Sequence, residues 1–123
     1  MYKKEQWICN VCKLKPSFEN DKIDPEMSPC RVIRLVRLLN NLASKDIYGH
    51  DTMYRKAISQ SYQSKLETFH AVPDFGMVLH LCILLKITPE KFCSYTTATM
   101  NMTWKEAAMY IGNDIINEGL ENS

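Results

Sequence analysis

The segment FGMVLHLCILL, residues 75–85, most constrains how this chain can fold. Gly76 and His80 are its only interruptions, so a helix through this segment has no polar face. It is too short for a membrane span, which takes roughly 18 apolar residues or more. A helix that is apolar on all sides is normally buried inside a domain. We therefore predict a helix here that is buried on nearly all sides, capped by Asp74 and ending near Lys86.

The rest of the chain is also helical in pattern, without strand-like alternation. Ser28 and Pro29 are typical of a helix start, with Ser28 as the cap. The helix that follows has an apolar stripe formed by Val32, Leu35, Val36, Leu39 and Leu42. Three arginines are predicted to share its opposite, solvated side: Arg31, Arg34 and Arg37.

Polar caps predict four more helices. Their spans are 52–57 after Asp51, 60 to about 69 after Ser59, 89 to about 95 after Thr88, and a last helix from Thr103. The last helix has an apolar face made of Trp104, Ala107, Ala108, Ile111 and Ile115. The predicted fold class is all-α, with an N-terminal arm (1–29), a five-helix domain (30–95) and an extra C-terminal helix (96–123).

Composition indicates the class of protein. A chain of 123 residues with 46% hydrophobic content suffices for one small domain. The net charge is +1, but residues 31–70 hold seven Lys and Arg against three acids, and residues 87–123 hold two against five. The basic central segment permits a polyanionic partner. Because no membrane span or signal peptide is evident, we expect a cytoplasmic protein with no membrane partner.

The stretch ISQSYQSKLE, residues 58–67, has a polar face that a core helix does not need. Ile58, Tyr62 and Leu66 form an inward stripe at helical spacing. Four polar side chains take the outward positions: Gln60, Ser61, Ser64 and Lys65. Gln can pair with adenine, Lys with guanine, and Ser with bases or phosphates. With the short helix before it, the stretch predicts a helix-turn-helix; the alternative is an ordinary solvated face.

The stretch ISQSYQSKLE, followed by HAVPDFGMVLHLCILLK and ITPEKF, closely resembles the Cro/CI repressor family, also called the XRE family. That family typically reads ISQSYLSKIE, then a turn with Pro, an apolar helix and ISPEEL. The match covers residues 58–92 without a gap, whereas residues 30–57 fit only with an altered loop. The resemblance implies a lambda-repressor-like helix-turn-helix domain that binds double-stranded DNA as a dimer and regulates transcription, in most cases as a repressor.

Carried over by position, the resemblance assigns base reading to Gln60, Ser61 and Lys65. His50 matches the first residue of the family's second helix if one residue is deleted. Thr68 and His70 occupy the turn that approaches the DNA backbone. The remaining predicted contact residues are Arg55, Ser59 and Ser64.

Three positions depart from the family pattern. The usual Gly between the two helices is replaced near Ala57. Gln63 stands where a buried aliphatic residue is usual, which should loosen the recognition helix unless Tyr62 fills the space. Thr68-Phe69 replaces a glycine-containing helix end, so a non-glycine residue has to close that helix.

A cysteine cluster raises the question of a metal. Cys9-x-x-Cys12 has the spacing of half a zinc site, and Cys30 lies 18 residues further on. Structural zinc requires four ligands, so His50 or His70 would have to complete the set. The alternative is thiols in the arm without metal. We expect no required cofactor, with zinc as the one candidate.

Two functions follow from these patterns. The first is a DNA-binding regulator that dimerises through the C-terminal helix, although that helix has the alternative of packing on its own domain. The second is an interaction protein, such as an antitoxin or inhibitor, that keeps the fold with little or no DNA binding; near-neutral charge and Gln63 favour it. No catalytic triad, HExxH or phosphate-loop pattern occurs, so we expect neither an enzyme nor a small-molecule substrate.

Overall fold

The computed structural model describes residues 23–121, where all regular secondary structure is helical. Its five α-helices are α1 (Ser28–Leu39), α2 (Gln60–Glu67), α3 (Phe75–Leu85), α4 (Pro89–Thr99) and α5 (Trp104–Glu121). Short 3-10 turns, Pro25–Met27 and Ser44–Asp46, lie on either side of α1. The all-α prediction is confirmed. No helix in this range is long and apolar enough to cross a membrane.

The central helix of the domain is α1. It contacts all four other helices, and eight of its twelve residues are buried. In α3, one side is buried but Ile83 is 45% exposed. The predicted burial of α3 on nearly all sides is therefore wrong. A small domain has too little volume to surround more than one helix, so the others keep one side at the surface.

Arg31 is fully buried, so the predicted solvated side of α1 is wrong. Its guanidinium donates hydrogen bonds to the carbonyls of Thr99 and Met102 and lies 5.6 Å from the centre of the Trp104 ring. Thr99 is the last residue of α4, where a helix has no internal donor for its carbonyl, and Met102 lies in the connection between α4 and α5. Burial lowers the pKa of Arg31 to about 10, which leaves it charged at neutral pH. Arg31 thus ties α1 to α4.

The predicted caps of α2, α3 and α4 are confirmed. Ser59, Asp74 and Thr88 each accept a hydrogen bond from the backbone N–H three residues later. At the start of α5, Thr103 and Glu106 each accept a hydrogen bond from the other's N–H. Such reciprocal capping satisfies two donors that a helix start otherwise leaves without partners.

Ser28 is not the cap that the sequence predicts. It is buried, and its hydroxyl donates a 2.8 Å hydrogen bond to the carbonyl of Thr96 in α4. In addition, α4 is one turn longer than predicted and ends at Thr99. Contact with α1 supplies partners for the end of α4, which an isolated sequence pattern does not reveal.

Residues 52–57 form a loop, so the predicted short helix is wrong. Asp51 is therefore not a helix cap; its carboxylate accepts the N–H of Ala57 across the loop at 2.7 Å. The hydroxyl of Thr52 lies 2.7 Å from Nδ1 of His80 in α3. Such bonds compete with helix formation, and a six-residue helix has little intrinsic stability to oppose them. The predicted two-helix motif is therefore incomplete, since a loop precedes α2.

A non-glycine residue closes α2, as predicted. Phe69 has a left-handed φ of 69°, and the N–H of His70 donates to the carbonyl of Lys65 at 2.8 Å. This conformation costs a non-glycine residue roughly 1–2 kcal/mol. The Phe69 ring stacks on Trp104 at a centroid distance of 5.8 Å. The stacking offsets the backbone cost and joins the end of α2 to α5.

An ionic cluster joins α4 to α5. Lys91 Nζ lies 2.7 Å from Asp114 Oδ2 and 3.1 Å from Glu118 Oε1. The Tyr95 hydroxyl also donates to Asp114, at 2.6 Å. Partial burial raises the pKa of Asp114, but the hydrogen bonds from Lys91 and Tyr95 outweigh it, so the pKa lies below its usual value. Asp114 therefore stabilises the fold in its ionised form.

We predict that Asp114 contributes to loss of stability in acid. A depressed folded-state pKa means that its contribution is complete above the unfolded pKa, about 4, and is lost as pH falls through the folded pKa. Asp114→Asn should have a lower free energy of unfolding than wild type at pH 7, and this difference should shrink as the pH falls below about 4. Urea unfolding followed by circular dichroism measures both; an unchanged difference at low pH would contradict the prediction.

Candidate nucleic-acid interface

The outward side of α2 is polar and exposed within the part of the chain that the structure describes. Gln60, Ser61, Ser64 and Lys65 are all exposed. Among residues 23–121, no side-chain hydrogen bond or ion pair engages any of these four. Ile58 and Leu66 are buried and Tyr62 is half-buried, so the predicted inward stripe is confirmed. We call Gln60, Ser61, Ser64 and Lys65 the outer face of α2.

A buried polar network holds the inner side of α2 against α1. Arg37 donates from Nε to Glu67 Oε2 and from Nη2 to Glu67 Oε1, both at 2.8 Å. Gln63 donates from Nε2 to Glu67 Oε2, also at 2.8 Å. In addition, Nη1 of Arg34 donates to the carbonyl of Glu67 at 3.2 Å. Two parallel bonds between guanidinium and carboxylate fix both distance and orientation, so the network positions α2 on α1.

Gln63 is therefore an attachment point rather than a defect in the core. It is buried and gains a charge-assisted hydrogen bond that an aliphatic residue would lack. Its Oε1 has no partner among the described residues, which is the cost of this arrangement. The sequence-based expectation that Gln63 would loosen the helix did not include the Glu67 carboxylate as its partner. Arg37 holds that carboxylate in place, and nothing in the sequence pairs Arg37 with Glu67.

Two of the predicted contact residues, Ser59 and Thr68, use their hydroxyls in hydrogen bonds at the two ends of α2. Ser59 Oγ accepts the N–H of Tyr62 at 3.0 Å. Thr68 Oγ1 donates to the carbonyl of Ser64 at 2.7 Å and lies 2.9 Å from Nδ1 of His70. Because the Thr68 proton is given to the carbonyl, its oxygen is left to accept from His70. Ser59 and Thr68 are exposed at the two ends of α2, but their hydroxyls have structural roles.

His50 and Arg55 lie in the loop before α2, not on a helix. His50 is exposed, with Nε2 3.0 Å from the carbonyl of Lys45, so its predicted place at a helix start is wrong. Arg55 is exposed; its Nε donates to the carbonyl of Lys56 and its Nη1 lies 3.8 Å from the sulfur of Met77. The loop's own hydrogen bonds replace the helix that would have begun near His50.

Sequence reasoning missed residues that the fold places beside α2. A pocket of about 230 Å³ is lined by Arg34, Ser44, Gln60, Gln63, Ser64, Glu67 and Thr68. Ser44 and the exposed Lys45 belong to the 3-10 turn after α1. No local signal assigns this turn to α2, because the course of a loop depends on tertiary contacts. Lys45 is a further cation close to the proposed interface.

The positive charge of the central segment is partly internal. Arg31 is buried and Arg37 is paired with Glu67. The exposed cations between α1 and the end of α2 are Lys45, Arg55, Lys56 and Lys65, against the exposed acids Asp46 and Asp51. This balance of four against two leaves a modest positive surface around α2.

Of the candidate zinc ligands, the structure describes Cys30, His50 and His70. Cys9 and Cys12 lie outside the described residues. Cys30 is buried and donates its thiol to the carbonyl of Ala71 at 3.1 Å. Burial raises the pKa of the Cys30 thiol to about 11, which opposes the thiolate form that zinc requires. Between residues 23 and 118, no group of three His, Cys, Asp or Glu side chains is placed to hold a metal ion.

Comparisons with protein-family models, with curated proteins and with solved structures find no match for this chain.

We predict that Arg37 and Gln63 contribute very differently to stability. Arg37→Met would leave the Glu67 carboxylate buried without its bidentate partner, at a cost of about 3–5 kcal/mol in free energy of unfolding. Gln63→Leu would lose one hydrogen bond but also remove the unpaired Oε1, so its cost should be within about 1 kcal/mol. Chemical denaturation compares the two variants, and equal costs would show that Arg37 does not anchor α2.

Proposed function

We propose that this protein binds double-stranded DNA through the outer face of α2 and acts as a sequence-specific transcriptional regulator. The resemblance to the Cro/CI repressor family supports this proposal over residues 58–92. A repressor of this kind acts by occlusion, since a protein seated on the DNA blocks access to the same site. The function requires base contacts for sequence choice and phosphate contacts for affinity.

One observation carries the proposal: on α2, whose inner side is bonded to α1, four outward polar side chains have no hydrogen bond or ion pair with the described residues. Gln60 can bond in a bidentate manner to adenine, and Lys65 can reach the acceptors of guanine. Ser61 and Ser64 suit either base edges or phosphates. A recognition helix has to expose such groups without letting them bond to its own domain, which is the arrangement of α2.

Cations beside α2 support phosphate contacts. Lys45 lies in the 3-10 turn next to α2, while Arg55 and Lys56 lie in the loop that leads into it. All three are exposed. Their side chains could approach the backbone on either side of a groove filled by α2, which implies salt-dependent binding.

Dimerisation, as part of this proposal, needs a surface other than the apolar face of α5. Trp104, Ala107, Ala108 and Ile111 are buried in the domain itself. The alternative, that the C-terminal helix packs on its own domain, therefore applies to this face. Two copies would still have to place their α2 helices about 34 Å apart to read two half-sites.

A protein partner is the second candidate function. Two large apolar side chains near the start of α3 are exposed, Phe75 at 71% and Val72 at 56%. Exposed apolar groups close together favour docking of another protein. An antitoxin or inhibitor that uses this surface would bind its target without DNA.

We predict that Gln60 and Arg55 affect DNA binding in different ways. With a duplex selected from a random library, Gln60→Ala should lose roughly 1–3 kcal/mol of binding free energy, but little on a scrambled duplex. Arg55→Ala should weaken binding to both duplexes alike and reduce the salt dependence. Fluorescence anisotropy of labelled duplexes measures these affinities.

Lys86→Ala and Asn113→Ala are matched controls, because both replace exposed polar side chains outside α2. They should bind as wild type does. Equal losses for Gln60→Ala on the selected and scrambled duplexes would exclude Gln60 as a base-reading residue. Failure of the folded wild-type protein to bind any duplex would contradict the proposed function and leave the protein-partner candidate.

A further inference from the structure

The loop before α2 presents two apolar side chains to solvent at a fixed position. Met53 is 85% exposed and Tyr54 is 48% exposed. They are followed directly by the exposed cations Arg55 and Lys56. We call residues 53–56 the tip. Large apolar groups beside cations match a surface that is both apolar and anionic.

Hydrogen bonds hold the tip in shape. The N–H of Thr52 donates to the carbonyl of Arg55 at 3.0 Å, and the N–H of Tyr54 donates to Thr52 Oγ1 at 3.2 Å. At the base of the loop, the N–H of Gly49 donates to the carbonyl of Ile58 at 3.0 Å. The loop is thus organised before any partner binds, and little conformational entropy remains to be lost at its backbone.

The loop is also anchored to α3. Thr52 Oγ1 lies 2.7 Å from Nδ1 of His80, whose side chain is fully buried. Burial lowers the pKa of His80, and nearby Arg55 lowers it further against the opposing effect of Asp51, which favours the neutral imidazole. Because Thr52 points inward, Met53 and Tyr54 are held outward rather than packing on the core.

We propose that the tip is a second DNA-contacting element, which inserts Met53 and Tyr54 into the minor groove next to the major groove occupied by α2. Minor-groove wedges are apolar side chains that enter between base steps, and Met is among the residues used. Arg55 and Lys56 would contact the flanking phosphates. This inference rests on the proposed function, since it assumes that α2 binds the same duplex.

The length of chain between the tip and α2 is compatible with this placement. Gln60 is the sixth residue after Tyr54, and an extended chain spans at most about 3.5 Å per residue, so the two lie at most about 20 Å apart. A major groove and the adjacent minor groove are separated by half a helical turn, about 17 Å. The length of chain between the tip and α2 therefore allows the two elements to lie in adjacent grooves.

The test uses the selected duplex with 2-aminopurine in place of single adenines next to each half-site. Unstacking of a base step raises the fluorescence of this base analogue. Wild-type protein should raise it at one step beside the α2 site, and Met53→Ala and Tyr54→Ala should abolish the rise. Their affinity for the duplex should fall about tenfold. Tyr54→Phe keeps the ring and should bind and unstack like wild type.

Phe75→Ala is the matched control, because it removes an exposed aromatic ring that is not followed by cations. It should leave both fluorescence and affinity unchanged. Gln60→Ala should lose sequence preference but still unstack the step at saturating protein. If Met53→Ala and Tyr54→Ala bind and unstack like wild type, the tip is not a DNA wedge, while the proposed function of α2 stands.

Two other outcomes would contradict the proposed role of the tip, and the first of them would also contradict DNA binding by α2. Absence of wild-type binding to any duplex would exclude the proposed function and the wedge together. Capture of a cellular protein by the wild type but not by Tyr54→Ala, without duplex binding, would assign the tip to a protein partner and overturn its role on DNA.

Discussion

The bidentate bond between Arg37 and Glu67 is the interaction on which the arrangement of this domain depends. It joins the central helix α1 to the last residue of the short helix α2, with both bonds at 2.8 Å. A helix of eight residues is marginal alone, so its stability has to come from tertiary contacts. Because Gln63 adds a third bond to the same carboxylate, α2 is held along its inner side, and no described residue bonds to the polar side chains of its outer face.

The division between held and free polar groups connects the fold to the proposed function. Polar side chains that face inward satisfy one another or the backbone, as Arg31 does at the end of α4. Those that face outward on α2 have no partner in the described chain and can meet base edges. The loop before α2 repeats the pattern, since Thr52 points inward while Tyr54 is exposed. Rigid support is what allows such groups to discriminate between partners.

Local features of the fold could be predicted from the sequence, and tertiary ones could not. The caps Ser59, Asp74 and Thr88 act over three residues, so their pattern is visible in the chain. Burial of Arg31 depends on carbonyls about 70 residues away, and a charge is normally expected at the surface. The prediction of a helix at 52–57 was wrong because the bonds from Thr52 to His80 and from Ala57 to Asp51 favour a loop. The outer face of α2 was predictable, whereas Lys45 and the tip were not.

The most direct measurement is mapping of backbone amide chemical shifts by NMR while a short mixed-sequence duplex is added at low salt. Non-specific binding suffices, because phosphate contacts alone bring the same surface to the DNA. The proposed interface predicts the largest shifts at residues 44–45 and 52–68, with α4 and the second half of α5 unaffected. Shifts confined to the exposed start of α3, or none at all, would contradict it.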